Sequence, residues 1–235
     1  MEKHLQQMAA FCAVVASLCC LAATSQATLI TTLYNTGVNA SGSPLPDGTT
    51  PDPNYSLVSV PSGSSATLVR TSAGGFPIGP WIADDSLSAW IKPNNGTANL
   101  DTDPVGNYTF QTTFNLTGFD PSSASILGQW ATDNEGISIV LNGITIVNGA
   151  AALAANLSNW TPFTISSGFV SGVNVLDFTI SNLDNGGYGN PTGLRVEMTG
   201  SATPVPEPTT MVAGAMLLLP FGISTLRILR KKRTA

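Results

Sequence analysis

From Tyr108 to Leu116 the chain alternates without a break: Tyr108, Phe110, Thr112, Phe114 and Leu116 occupy one parity, and Thr109, Gln111, Thr113 and Asn115 the other. On a helix these residues would scatter around the circumference. Only an extended strand gathers them into two rows, one apolar and one polar, so the segment is a half-buried β-strand. Such a strand needs partners to hydrogen-bond its backbone and a second layer to cover its apolar row. The partners are readable. Ile137, Ile139 and Leu141 alternate in the same way, Asn142-Gly143 suits the two positive φ angles of a type I′ turn, and Ile144 to Val147 returns as the second arm of a hairpin. Val173 to Ile180 and Leu194 to Met198 are strand-like as well, the latter pointing Leu194, Val196 and Met198 inward and Arg195 and Glu197 outward.

Gly-, Pro-, Asn- and Asp-rich turns at Ser43 to Asn54, Ser72 to Pro80, Lys92 to Gly106 and Asn182 to Gly193 separate these runs at sandwich-like intervals. The Ala-rich stretch Ala150 to Leu157 is at most a two-turn helix or a loop. No fixed-period repeat suggests a propeller or solenoid. The expected fold is all-β: an antiparallel, jelly-roll-like β-sandwich whose edges the loops must cover or break.

Both ends differ from this body. Met1 to Gln7 carries Lys3, an apolar run follows from Met8 to Ala23, and Ser25-Gln26-Ala27 places small residues for signal peptidase, predicting a signal helix cleaved after Ala27. Cys12, Cys19 and Cys20 and the sole histidine, His4, all fall in this leader. None of the cysteines follows the Leu-x-small pattern of lipid attachment. At the other end Val205-Pro206-Glu207-Pro208 precedes an uncharged run from Met211 to Leu226, closed by Arg227, Arg230, Lys231, Lys232 and Arg233. Such a run predicts a membrane helix, slightly short of the roughly 20 residues a bilayer asks for and interrupted by Pro220 and Gly222, with the basic cluster on the cytoplasmic side. Three regions are therefore expected: residues 1–27, 28–203 and 204–235.

The order of Pro-Glu-Pro, apolar run and basic end resembles the PEP-CTERM sorting signal of bacteria that secrete polysaccharide matrices. The resemblance implies an exosortase-type membrane enzyme acting near Pro206, Glu207 and Pro208, and passage from the inner membrane to the cell surface or matrix. The body resembles PEP-CTERM proteins whose exported domain is a galactose-binding-like jelly roll. That likeness rests on Leu33 to Val38, Asp52 to Tyr55, Gly79-Pro80-Trp81, Trp90-Ile91, Gly106 to Phe110, Gln129 to Asn134, Leu141 to Gly143 and Gly189 to Val196. It implies sugar binders or structural modules alike, since one fold serves both.

Charge narrows the partners. Residues 28–203 hold three basic side chains, Arg70, Lys92 and Arg195, against twelve acidic ones, a net charge of about −9. Such a body repels nucleic acid and anionic lipid surfaces. Without His or Cys after the leader, nucleophilic triads and thiolate metal sites are excluded from it. Acid pairs at Asp84/Asp85, Asp101/Asp103 and Asp133/Glu135 leave a glycosidase conceivable on chemistry alone, although acids in Asn- and Gly-rich turns ordinarily serve the turn.

Sugar binding asks for an aromatic platform beside amides and carboxylates. Trp130 precedes Asp133 and Asn134, while Asp184, Tyr188 and Asn190 share a late loop, so a shallow site forms if the sandwich brings both loops to one end. The competing expectation places Trp130 in the core and Trp81, Trp90 and Trp160 at its ends. No cofactor is expected except a candidate structural Ca²⁺ at Asp101 and Asp103, where hard oxygen ligands are available. The resulting expectation is a non-enzymatic surface or matrix protein with a structural or adhesive role beside extracellular polysaccharide. A carbohydrate-binding module is the alternative, and a glycoside hydrolase the third reading.

Overall fold

In the computed structural model, residues 26–46, 50–61, 68–70, 77, 79–93, 103–184, 186 and 189–206 are described, with 68–70 as backbone only. The expected leader helix, the membrane helix, Glu207, Pro208 and the basic cluster from Arg227 to Arg233 lie outside these residues. Among the described residues no helix is long and apolar enough to cross a membrane.

In chain order the elements are β1 (Thr28–Leu29), β2 (Tyr55–Ser59), β3 (Leu68–Arg70), β4 (Trp90–Lys92), β5 (Gly106–Asn115), β6 (Phe119–Asp133), β7 (Glu135–Leu141) and β8 (Ile144–Asn148). A short helix α1 (Gly149–Leu153) and strands β9 (Thr161–Ile165), β10 (Val173–Asn182) and β11 (Gly193–Pro204) complete them. Helix α1 covers only the first half of the Ala-rich candidate. One sheet runs β3-β4-β11-β6-β9, with β1 also on β11, and the other runs β2-β5-β10-β7-β8. All of these pairings are antiparallel.

The alternation seen in the sequence of β5 becomes burial. Tyr108, Phe110, Thr112 and Phe114 are buried, while Asn107, Thr113 and Asn115 are exposed. Facing them across the interior stand Ile126 and Trp130 from β6 and Leu194 and Val196 from β11, joined by Leu176, Phe178 and Ile180 from β10 in one continuous core. Each such side chain taken from water contributes about 1.5–3 kcal/mol, which makes this shared interior the main force joining the sheets. Asn142 and Gly143 adopt φ of 51° and 80° between β7 and β8, as a type I′ turn requires.

The longest strand, β6, has no clear sequence signature. Its first half, Phe119-Asp-Pro-Ser-Ser-Ala-Ser, is small and polar with a proline, yet it pairs with β11 along most of its length and with β9 on the other side. Hydrogen bonding from two neighbours supplies what local propensity does not.

Candidate functional site

One end of the sandwich collects most of the polar residues singled out above. Strand β6 ends at Asp133, joined to Asn134 by a cis peptide bond, and β10 and β11 turn over beside it. The Leu183 amide donates to Asn134 Oδ1 at 2.7 Å and the Asn134 amide to the Ser181 carbonyl at 3.0 Å. Thr192 donates its hydroxyl to the Asp133 carbonyl. Asn134, Asp184 and Asn190 are thereby drawn to one end. Asp184 is exposed and accepts the Gly186 amide at 3.0 Å, whereas Asn190 is buried. Tyr188 and Asp101 lie outside the described residues.

The aromatic floor is not where the sugar-site expectation put it. Trp130 is fully buried, its ring 6.0 Å from that of Phe178, and its far edge lies over Gly136. A Cβ on Gly136 would sit 2.4 Å from this indole, so only glycine admits it there. A ring enclosed in this way has no face to offer a pyranose, which corrects the assignment of Trp130 as a platform. The aromatic that does reach this end is Trp81: a Cβ built on Gly193 would stand 3.1 Å from its ring. Trp81 is itself buried and packs on Trp90, with centroids 4.4 Å apart.

Beneath the loop ends lies a buried polar network. Lys92 Nζ is 3.4 Å from Asp103 Oδ2, and both side chains are 1% exposed. The Thr192 amide donates to the same Oδ2 at 3.0 Å. Asn182 Nδ2 reaches the carbonyls of Asp103 at 2.9 Å and Pro104 at 3.2 Å, and the Asp103 amide donates to the Asn190 carbonyl at 2.9 Å. Asp103 thus serves a lysine and a strand entry. Among the described residues no group of three or more His, Cys, Asp or Glu is arranged to hold a metal ion.

Asp133 is also buried, and Asp133 Oδ1 and Asn182 Oδ1 have no hydrogen-bond partner among the described residues. Burial pushes the Asp133 carboxyl up to about 7, against a hydrogen bond from Trp81 and with help from the charge of Asp103. Neighbouring Glu135 is half-buried on β7.

A second network covers the part of the outer face of the β4-β11-β6 sheet around Arg195, while Leu127 farther along β6 stays exposed. Arg195 points outward as its parity requires, yet it is completely buried, a departure from the solvated position that an outward arginine suggests. It donates through Nε to Ser88 Oγ at 2.7 Å and through Nη1 to the Ala83 carbonyl. Its Nη2 pairs with Asp85 at 3.0 Å and with Glu197 at 3.3 Å, and its guanidinium lies 4.9 Å from the Trp160 ring centroid. Burial works to raise the Asp85 carboxyl, but the Leu87 amide, the Arg195 charge and the Ser88 amide outweigh it and hold the group below its ordinary value. Asp84 Oδ1 accepts the Trp90 amide at 3.0 Å. Both members of the Asp84/Asp85 pair therefore fasten the segment before β4 to the sheet. The signal that could have located this network was a lone arginine amid the inward-outward alternation of β11, with tryptophans elsewhere left to cover it.

Ala27 is exposed just before β1, and at the other end the Val205 amide donates to the Gly118 carbonyl at 2.8 Å, leaving Val205 and Pro206 exposed. A scan against protein-family models and a search of the curated proteins each find no match for this chain.

Proposed function

We propose that residues 28–203 form a non-catalytic structural or adhesive module, exported by the leader and delivered to the bacterial surface or matrix by the Pro-Glu-Pro tail. The single observation that carries the non-catalytic part is how the described acids of two candidate pairs are engaged: Asp85 holds Arg195, Asp103 holds Lys92, and Asp84 caps the Trp90 amide, while Asp133 of the third pair is itself buried. Paired acids that fasten loops are poorly placed to flank a glycosidic bond with room for substrate. The strand order, with β4-β11-β6-β9 facing β5-β10-β7-β8, supports reading the sandwich as a jelly roll. The sorting role rests on the sequence of the tail, in which Val205-Pro206-Glu207-Pro208 leads into the apolar run and basic end. Its implied partners are signal peptidase, an exosortase-type enzyme and the inner membrane.

The second reading, a carbohydrate-binding module for extracellular polysaccharide, is favoured by the convergence of Asn134, Asp184 and Asn190 at one end. A glycan array and a sugar-release assay on the secreted protein separate these readings. Absence of both signals supports the structural module; binding abolished by Asn134→Ala or Asp184→Ala replaces it with the carbohydrate-binding one. Mass spectrometry of surface-released protein tests delivery: a chain still ending at Ala235 would refute processing at the Pro-Glu-Pro segment.

A further inference from the structure

Among the described residues of the body two cations are buried, and they differ chemically. Arg195 is the ordinary choice for a buried ion pair, because a guanidinium is weakly hydrated and forks onto several acceptors. Lys92, the only lysine between Thr28 and Thr203, is the unusual one. An ammonium gives up its hydration reluctantly, but a lysine amine is also a nucleophile, which a guanidinium is not.

We propose that Lys92 and Asp103 form an intramolecular isopeptide bond, the Lys92 Nζ acylated by the Asp103 side chain with release of water. An ammonium and a carboxylate become an amide and one water, so atoms and charge balance without oxidant, metal or nucleotide. The Nζ–Cγ bond forms, one Cγ–Oδ bond breaks, and two protons from Nζ leave with the departing oxygen.

Position favours this step. Nζ lies 3.4 Å from Oδ2, and both side chains are 1% exposed, so the amine is kept beside the carboxyl group it would attack and away from water. The Thr192 amide, 3.0 Å from Oδ2, stands ready for the oxygen that gains charge when the amine adds to Cγ. The Asp103 backbone is fixed, because its amide donates to the Asn190 carbonyl and its own carbonyl accepts from Asn182 and Asn190 at 2.9 and 3.4 Å. Asn182 and Asn190 on the backbone and Thr192 on the carboxyl position the electrophile. Asp133, whose carbonyl accepts the Thr192 hydroxyl and whose carboxyl feels the charge of Asp103, is a second buried acid at this end. Burial also supplies a driving force, since condensation abolishes two charges that the interior solvates poorly and expels the water formed.

The bond would tie β4 in one sheet to the segment entering β5 in the other. A body whose cysteines all lie in the leader has no disulfide with which to make such a tie. This inference does not depend on the reading of the module as structural or carbohydrate-binding.

The test is mass spectrometry of the full chain isolated from the producing cells and denatured. Its mass is expected to be one water below that of the processed sequence. Chymotryptic cleavage after Trp90, Leu100 and Tyr108 is expected to release Ile91 to Leu100 joined to Asp101 to Tyr108. Lys92→Arg keeps the charge but cannot form the amide, and should yield the two peptides separately and a lower melting midpoint; Asp103→Ala serves the same purpose if the arginine variant fails to fold. Separate peptides of full mass from the wild-type protein would overturn the proposal, as would a joined pair that persists in either variant.

Discussion

The two sheets turn opposite kinds of outer face to their surroundings, although their strands alternate in the same way. On the β2-β5-β10-β7-β8 sheet the outward row lies open and mixes polar pairs with exposed valines: Thr109 Oγ1 meets Thr179 Oγ1 at 3.1 Å and Gln111 donates to Asp177 at 2.9 Å, all half-buried at most, while Val58 and Val173 are exposed. On the β4-β11-β6 sheet the outward row holds Trp90, Ala131 and Arg195, closed over by Trp81 and Trp160. Period two tells which residues share a face. Whether that face meets water depends on what the connecting segments bring over it.

Substitutions can break this contrast. The largest effects are expected where covering is complete. Trp130→Ala, in the interior common to both sheets, should cost about 3–5 kcal/mol in chemical denaturation. Arg195→Ala on the covered outer face should cost nearly as much, about 3–5 kcal/mol, because Glu197 and Ser88 lose a buried partner. Arg195→Met, which removes the charge but keeps the volume, should recover much of that loss; if it costs as much as alanine, the ion pairs rather than the packing hold the cover in place.

The next effect is one of pH. Asp133 has a folded value of about 7 against 3.8 in the unfolded chain, so the folded state retains its proton where the unfolded state has lost it. The stability this confers is fully present below pH 3.8, declines as pH rises, and is gone above about 7. The decline is on the order of 4 kcal/mol from this group. Asp52, pushed by burial to about 6 against hydrogen bonds from the Asn54, Gly37 and Tyr55 amides, adds in the same direction over a narrower window. Asp133→Asn should flatten the curve and stabilise the protein at pH 8; denaturation midpoints at pH 5 and pH 8 measure both. The smallest effect is expected on the open face. Thr179→Ala should cost about 0.2–1 kcal/mol, the worth of one cross-strand pair, and a loss as large as that of Arg195→Ala would show that this face is covered too.

Much of the fold could be read from local pattern. β5, the β7–β8 hairpin, β10 and β11 announce themselves because half-burial imprints alternation on the sequence, and Asn142-Gly143 because few residues tolerate its φ angles. β6 could not be read, since a central strand flanked by β9 and β11 draws its stability from neighbours and tolerates Ser, Ala and Gly. β2, β4 and β9 are too short to display a period. Of the polar end, the convergence of Asn134, Asp184 and Asn190 was foreseeable as a condition, namely that two loops share one end. The pairing of Lys92 with Asp103 was hidden in a segment whose glycines and prolines signal only a turn, and the cover over Arg195 was hidden because Ser88 and Arg195 are 107 residues apart.

By itself, the sequence determined which residues are apolar, which share a parity and where the chain can turn, because these follow from side-chain chemistry and backbone sterics within a few residues. It also determined that the body is acidic and free of cysteine and histidine, which removes whole classes of chemistry. Only the tertiary structure decided which surfaces stay wet and which charges are buried together. Burial is a property of neighbours distant in the chain: Trp130 lost its availability to a ligand to Phe178 and Gly136, and Lys92 lost its water to Asp103 and the loop ends around it.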